Sequence, residues 1–179
     1  MPKNTELRFT KPAMRILENE HRYLTYRMEE WHAIVLLFER GGLDLEEGRQ
    51  QLIKLRNLIL SFMEPLKLHT QKEEEYFFPL LGHYIGFDQG PLVGIQEEHR
   101  EIDSYIGHFL HYTEGDIELL SYYEILAAVR DAGEAFEVLM VHFMKEENVL
   151  FPMAEQQISV LEHERLAGNL NTLLLRKES

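Results

Sequence analysis

The stretch HTQKEEEYFFP, from His69 to Pro79, is repeated in the second half of the chain as HFMKEENVLFP, from His142 to Pro152. Both copies fit the pattern H-x-x-K-E-E-x-x-x-F-P. A shorter E-H-R echo precedes each copy at a similar distance, at Glu20 to Arg22 and again at Glu98 to Arg100. An internal repeat of this kind predicts two helix pairs of like design, related by a pseudo-twofold axis.

Around the repeat, apolar residues recur at alternating steps of three and four, which predicts an all-α protein. The helix start signals are Thr10 as an N-cap, Asp44 with Glu47, and Ser121 with Glu124. The predicted helices, in chain order, are about Pro12 to Gly41, Asp44 to Leu81, Pro91 to Thr113, Asp116 or Ser121 to Pro152, and a last helix over about 155–176. This pattern predicts an up-down four-helix bundle at about 12–154 with an additional C-terminal helix, in a single domain of residues 1–179.

Composition narrows the classes of partner and chemistry. With 18 basic and 31 acidic residues the formal charge is −13, which argues against nucleic acid and anionic membranes as partners. The absence of cysteine excludes disulfides, iron–sulfur clusters and thiolate sites, so any metal must bind nitrogen and oxygen. No run of about eighteen apolar residues and no signal-peptide pattern is found, so we expect a cytoplasmic protein.

Six polar residues fall on the apolar stripes that should face the core of the bundle. A buried, ionised carboxylate without a partner costs several kcal/mol, whereas a bound cation would stabilise it. Residues four apart lie one above the other on a helix, so each motif presents an imidazole and a carboxylate on one face. Four imidazoles suit two ions at two each, two carboxylates suit bridging them, and coordination positions remain for a small ligand. The predicted metal ligands are His21, His69, Glu73, His99, His142 and Glu146.

Other residues on and near these stripes receive different predictions. Beyond the two glutamates, the stripes are expected to continue through Tyr76 and Leu80, and through Val149 and Met153. Five further histidines lie off the stripes or beyond the helix ends and are predicted to be at the surface: His32, His83, His108, His111 and His163.

Four acidic residues beside the predicted ligands have open roles. Glu98 and Asp103 flank His99 and could accept hydrogen bonds from imidazole N–H groups or act as extra ligands. Glu74 and Glu147 could also add ligands, although the second of two adjacent carboxylates usually faces solvent.

With its paired motifs and the isolated His21 and His99, the chain from about Pro12 to Ala154 resembles the hemerythrin-like (HHE cation-binding) domains. The resemblance implies a non-haem centre of two iron ions, with the four histidines as ligands and Glu73 and Glu146 as bridges. Zinc or manganese are the expected substitutes for iron.

The chain also differs from known members of this family in two respects. Oxygen-carrying hemerythrins use a fifth histidine in an H-x-x-x-H pair on the third helix, where this chain has Asp103. The pattern looks closer to di-iron proteins of iron-centre repair, which commonly carry a cysteine-bearing N-terminal region that this chain lacks.

Three classes of function follow from these patterns. The first is a di-iron protein that binds or reacts with dioxygen, peroxide or nitric oxide, in sensing, stress response or iron handling. The second is an enzyme, a ferritin-like oxidase or peroxidase; such bundles favour E-x-x-H pairs, and here Glu18 fits with His21 while Gln96 breaks the second pair. The third is a non-catalytic module with a structural zinc ion. A homo-oligomer through the C-terminal helix is a further expectation.

Overall fold

The computed structural model describes residues 6–176, with side chains as far as residue 171. The predicted domain of 1–179 therefore includes positions 1–5 and 177–179 that lie outside the described residues. We label the helices α1 to α7 and the two π-helical turns π1 and π2. In chain order they are α1 (Pro12–Arg40), α2 (Leu45–Lys72), π1 (Glu73–Phe77), α3 (Phe78–Ile85), α4 (Pro91–Tyr112), a 3₁₀ turn (Ile117–Leu119), α5 (Tyr122–Lys145), π2 (Glu146–Leu150), α6 (Phe151–Gln157) and α7 (Val160–Arg176).

Capping boxes start two of the long helical runs, as the sequence predicts. The N–H of Glu47 donates to Oδ1 of Asp44 at 2.8 Å, and the N–H of Asp44 donates to Oε2 of Glu47 at 2.9 Å. Ser121 and Glu124 make the same reciprocal pair before α5. The alternative start at Asp116 is wrong, because that side chain caps the short 3₁₀ turn instead.

The predicted N-cap of α1 is wrong. The N–H and hydroxyl of Thr10 both bind the carboxylate of Glu155, with the N–H 2.6 Å from Oε1. The first helical hydrogen bond is accepted one residue later, by the carbonyl of Lys11 from the N–H of Arg15. Thr10 therefore ties the N-terminal segment to α6 rather than starting α1.

A π turn follows the lysine in each copy of the motif, and this feature was not predicted. The N–H of Phe78 donates to the carbonyl of Glu73, five residues back, and the N–H of Phe151 donates to that of Glu146. Each turn stands directly before a Phe-Pro pair. Proline has no N–H to donate and crowds the carbonyl four residues earlier, so a wider turn ahead of it accommodates the ring within the helix.

The π turns shift the buried stripe by one residue, which corrects the predicted core. A π turn adds one residue, so every later side chain moves around the helix relative to an uninterrupted α pattern. Tyr76, Leu80 and Met153 are only partly buried and Val149 is 42% exposed. The buried residues are their next neighbours in sequence, Phe77, Leu81, Leu150 and Ala154, joined by Phe78 and Phe151.

The described chain divides into two compact units. The first comprises residues 6–23, 67–96 and 143–176, and the second residues 24–66 and 97–142. The first unit has a core in which Phe77, Phe78 and Phe151 pack with apolar residues of the N-terminal segment and α7. In the second unit the largest buried side chain is Trp31, whose ring lies 5.9 Å from Phe62 and 5.7 Å from Phe136.

The helical run of the second motif continues to Gln157, and α7 begins at Val160 rather than near residue 155. Ile158 has extended backbone and ends α6. The prediction that His163 lies at the surface is wrong. Its ring is 1% exposed, and its Nε2 lies 2.8 Å from the carbonyl oxygen of Ala154, so an Nε2–H can donate to a carbonyl in the last turn of α6.

Within residues 6–176, no helix is both long enough and apolar enough to cross a membrane.

Candidate metal centre

All six predicted ligands are buried, with exposed fractions between 0 and 5%. Helix α1 carries His21, α2 carries His69 in its last turn, α4 carries His99, and α5 carries His142. The two glutamates, Glu73 and Glu146, are the first residues of π1 and π2.

Four of the six converge in the first compact unit. Nε2 of His21 lies 3.1 Å from Nε2 of His69 and 2.9 Å from Oε2 of Glu146. Oε1 of Glu73 lies 2.8 Å from Nε2 of His69 and 3.8 Å from Nε2 of His21. One ligand atom from each of these residues can be chosen so that all lie within 4.8 Å of one another.

These separations fit a shared metal ion. Ligands at about 2.1 Å from a first-row metal stand about 3.0 Å apart when adjacent and about 4.2 Å apart when opposite in an octahedron. The distances between ligand atoms around His21 and His69, from 2.8 to 3.8 Å, are close to these values. Two imidazoles and two carboxylates form a nitrogen and oxygen donor set that suits iron, manganese or zinc.

The other two predicted ligands meet in the second compact unit. Nε2 of His99 lies 3.0 Å from Nε2 of His142, and their ring centroids are 4.6 Å apart. Their facing nitrogens repeat the arrangement of His21 with His69. The structure thus brings four predicted residues into one group and the other two into a matching pair.

A family model, the Hemerythrin HHE cation binding domain, matches residues 12–154. The chain belongs to this hemerythrin family. Membership and the observed helices confirm the predicted fold class, an all-α helical bundle with an additional C-terminal helix. The family description and the buried histidine–glutamate group together indicate cation binding. No curated protein and no solved structure matches the chain.

In this hemerythrin domain a second carboxylate contacts Nδ1 of each motif histidine, the ring nitrogen that does not face the ligand group. Nδ1 of His69 lies 3.0 Å from Oε1 of Glu20, and Nδ1 of His142 lies 3.0 Å from Oε2 of Glu98. An Nδ1–H that donates to a carboxylate leaves Nε2 free to bind a metal and fixes the plane of the ring. Glu98 was predicted as one candidate for this role, whereas Glu20 was missed. The shared E-H-R echo is the signal that could have found both.

A buried lysine completes the group behind His69. Nζ of Lys72, which is 1% exposed, lies 2.6 Å from Oε2 of Glu20. Burial alone would raise the pKa of Glu20, but the hydrogen bonds and positive charge of His69 and Lys72 outweigh it and lower that pKa. Glu20 is therefore an ionised carboxylate shared between an imidazole and an ammonium.

The pKa values of two ligand histidines are raised by the carboxylates around them. Burial acts to lower the pKa of His21, yet hydrogen bonds to Glu146, Glu147 and Glu73 raise it well above its usual value. For His69 burial also acts downward, but Glu73 and Glu20 raise the pKa. The carboxylates of the group thus favour positive charge among them, as either protons or a metal ion.

The remaining acidic candidates lie farther out. Glu74 and Asp103 are exposed. Glu147 is 23% exposed, and its Oε2 lies 3.9 Å from Nδ1 of His21, behind the ring rather than on the Nε2 side. Neither Glu74, Asp103 nor Glu147 joins the group of converging ligand atoms in the described residues.

Aromatic rings pack against the ring of His21. The ring of Phe143 stacks on it at 4.2 Å, and Phe151 lies 5.3 Å away in a nearly parallel plane. Phe9, from the N-terminal segment, packs edge-on against Phe151 at 5.4 Å. These rings keep bulk water from the group.

The four other predicted surface histidines lie outside the group. His83, His108 and His111 are exposed, and His32 is partly buried with its ring stacked on Phe136 at 3.5 Å.

Proposed function

We propose that this protein is a non-haem di-iron protein that binds or reacts with dioxygen, peroxide or nitric oxide. In this proposal His21 and His69 would hold one ion and His99 and His142 the other, and the carboxylates of Glu73 and Glu146 would be the shared oxygen ligands. The observation that carries the proposal is the convergence of two Nε2 atoms and two carboxylates within 4.8 Å in a fully buried group.

The charge balance around the histidines supports divalent ions. Glu73 and Glu146 are wholly buried carboxylates, and the outer carboxylates of Glu20 and Glu98 lie 3.0 Å from Nδ1 of His69 and of His142, respectively. Burying this much negative charge is costly unless cations share the interior. Bound metal would contribute folding free energy, which we place on the order of 10 kcal/mol by analogy with structural zinc.

Bound iron would supply one-electron redox chemistry and coordination positions for a small ligand. The protein's own residues orient the imidazoles through Glu20 and Glu98 and exclude bulk water with Phe143 and Phe151. An enclosed position of this kind favours diatomic molecules or peroxide over larger substrates. We place the biological role in sensing, stress response or iron handling.

Within the hemerythrin family, we propose closer kinship to the proteins of iron-centre repair than to oxygen carriers. The support is Asp103, which is exposed and stands at the position where oxygen carriers have a fifth histidine. The cytoplasmic location and a homo-oligomer through α7 stay predictions.

The test is iron reconstitution of the metal-free protein under anaerobic conditions, followed by oxidation. We expect about two iron ions per chain, ligand-to-metal charge-transfer absorption after oxidation, and a spectral change when nitric oxide is added to the ferrous protein. A His83→Ala variant is the matched control, since this exposed histidine lies outside the group. Uptake of no iron, or of iron with no response to oxidant or nitric oxide, would contradict the proposal.

Zinc is the second candidate, because two imidazoles and two carboxylates also suit that ion and zinc binds such sites more tightly than iron. Stoichiometric zinc after expression without added metal, together with failure to exchange it for iron, would favour a structural role. The ferritin-like enzyme is less well supported. Glu18, its candidate E-x-x-H glutamate, accepts hydrogen bonds from the backbone N–H groups of Arg8 and Phe9.

A further inference from the structure

The lysine of the repeated motif has no part in the metal site as proposed, yet its two copies differ sharply in burial. Lys72 is 1% exposed, whereas Lys145, at the same motif position, is exposed. A buried ammonium costs several kcal/mol unless it is paired. The burial of Lys72 is therefore a feature of the first copy that calls for a specific partner.

That partner is Glu20. One of its oxygens, Oε2, lies 2.6 Å from Nζ of Lys72, and the other, Oε1, lies 3.0 Å from Nδ1 of His69. The carboxylate is thus anchored at both oxygens. Its side chain is 22% exposed, so a path to water lies open to it.

We propose that Lys72 is a positioning residue of the metal centre. It holds Glu20 in the orientation that fixes the imidazole of His69, and so makes the ion held by His21 and His69 inequivalent to the ion held by His99 and His142. This inference rests on the two-ion site of the proposed function, but it does not depend on which metal is bound.

Its two contacts restrict the rotation of the Glu20 side chain. A glutamate with one hydrogen bond and an open path to water can turn outward, and the imidazole then loses its orientation. Losing such an outer partner typically costs 10- to 100-fold in metal affinity. In the second copy Oε2 of Glu98 binds His142 at 3.0 Å, and the exposed position of Lys145 means that water screens any contact its ammonium makes. The two copies should therefore respond differently to loss of their lysine.

The experiment compares Lys72→Met with its matched control Lys145→Met, alongside Glu20→Ala and the double variant of Glu20 and Lys72. Each metal-free protein is titrated with Zn²⁺, and separately with Fe²⁺ without oxygen, so that two binding steps are resolved. We expect Lys72→Met to weaken one step by about tenfold and to leave the other unchanged. Lys145→Met should change either step by less than about twofold.

The double variant tests whether Lys72 acts through Glu20. Glu20→Ala should weaken the same step by about 10- to 100-fold, and adding Lys72→Met should bring no further loss. Nitrogen-15 spectra of the zinc-loaded proteins give a second readout: Lys72→Met should shift the Nδ1 signal of His69 and leave that of His142 in place. A merely structural role would not produce this selectivity.

Three results would overturn the inference: equal effects of the two lysine variants, equal weakening of both binding steps by Lys72→Met, or an effect of Lys72→Met that persists without Glu20. If Lys72→Met loses its helical circular dichroism, Glu20→Gln serves instead. Its amide oxygen still accepts from His69 but carries no charge to hold the ammonium, so the same single step should weaken.

The outcome is separable from that of the proposed function. A wild-type protein that binds two zinc ions but no redox-active iron would refute the iron chemistry and leave the role of Lys72 to be decided by the variants. A wild-type protein that binds fewer than two ions would overturn both.

Discussion

The two copies of the motif have the same backbone conformation but differ in the residues that surround them. In both, a wholly buried glutamate begins a π turn and a Phe-Pro pair follows it. Helix α7 packs against π1. On π2, by contrast, Asn148 accepts a hydrogen bond from Arg8 of the N-terminal segment, and Phe9 packs on Phe151 just beyond it.

This difference separates what the repeat determines from what it does not. The repeated residues determine the ligand atoms and the wide turns, since both copies have them. The flanking segments at the two ends of the chain are not repeated, and they give each copy its own neighbours. Equivalent ligands therefore stand in non-equivalent environments.

Loss of a motif histidine should have the largest effect on metal affinity, and the effect should be equal in the two copies. We expect His69→Ala and His142→Ala each to weaken one of two metal-binding steps by at least about 100-fold, more than loss of an outer partner. Metal content after dialysis and titration with Zn²⁺ measure this. A single variant that abolishes both steps would show that the two positions fill only together.

Metal removal should reveal how much of the stability depends on the site. Ligand linkage predicts that free metal at about 1,000 times its dissociation constant stabilises the fold by about 4 kcal/mol for each filled site, or about 8 kcal/mol for two, which agrees with the order of 10 kcal/mol expected for the whole centre. Thermal unfolding with and without a chelator measures the change. The His69→Ala variant should show a smaller change in melting temperature on chelation than wild type. An unchanged melting temperature in wild type would mean that the fold does not need the ions.

The stability of the metal-free protein should fall as pH rises. Because the folded pKa values of His21 and His69 are raised above the ordinary value of 6.5, the folded state binds more protons than the unfolded state. Their contribution is complete below about pH 6.5 and is lost as pH rises through the folded pKa values. Urea unfolding across this range should show the slope, and a His21→Asn, His69→Asn variant should flatten it. Metal affinity should change in the opposite direction, since protons compete with metal at low pH.

The N-terminal segment offers a way to disturb the second copy alone. Glu18, which is 1% exposed, accepts hydrogen bonds from the backbone N–H groups of Arg8 and Phe9. Glu18→Ala should therefore lower the free energy of unfolding by about 2 kcal/mol. Hydrogen exchange should increase in residues 6–11 and in π2, with π1 unaffected. Equal exchange in both π turns would contradict the separation of the two environments.

The smallest expected effects concern the helix starts that lead into each copy. Asp44→Ala and Ser121→Ala each remove the N-cap of a capping box, so each should cost about 1 kcal/mol. Chemical denaturation measures both. Thr10→Ala is the control, because Thr10 caps no helix, and its loss should cost less than either.

The sequence predicted the helices, two capping boxes and the burial of all six candidate ligands, because each rests on local periodicity or on a repeated motif. It missed the π turns, because periodicity assumes an unbroken helix and so placed Tyr76 and Val149 one position from the buried residues. It also missed Glu20: the repeated E-H-R segment marks this residue, but spacing along the chain does not show which imidazole of another helix lies beside it. His163 was misplaced for a related reason: its partner is the end of a preceding helix, which no spacing rule reports.

The wide turns also leave the chain room to change its own length. Deleting a single residue between Glu146 and Leu150 would let the turn close into ordinary α-helix. Because the wide turn holds one residue more than an α turn, Phe151 and Ala154 would still face the interior. A deletion in the uninterrupted part of α5 would instead rotate every later residue by about 100°. The protein should therefore tolerate one residue lost from the wide turn, or a longer connection at residues 86–90, far better than one residue lost from the middle of α5.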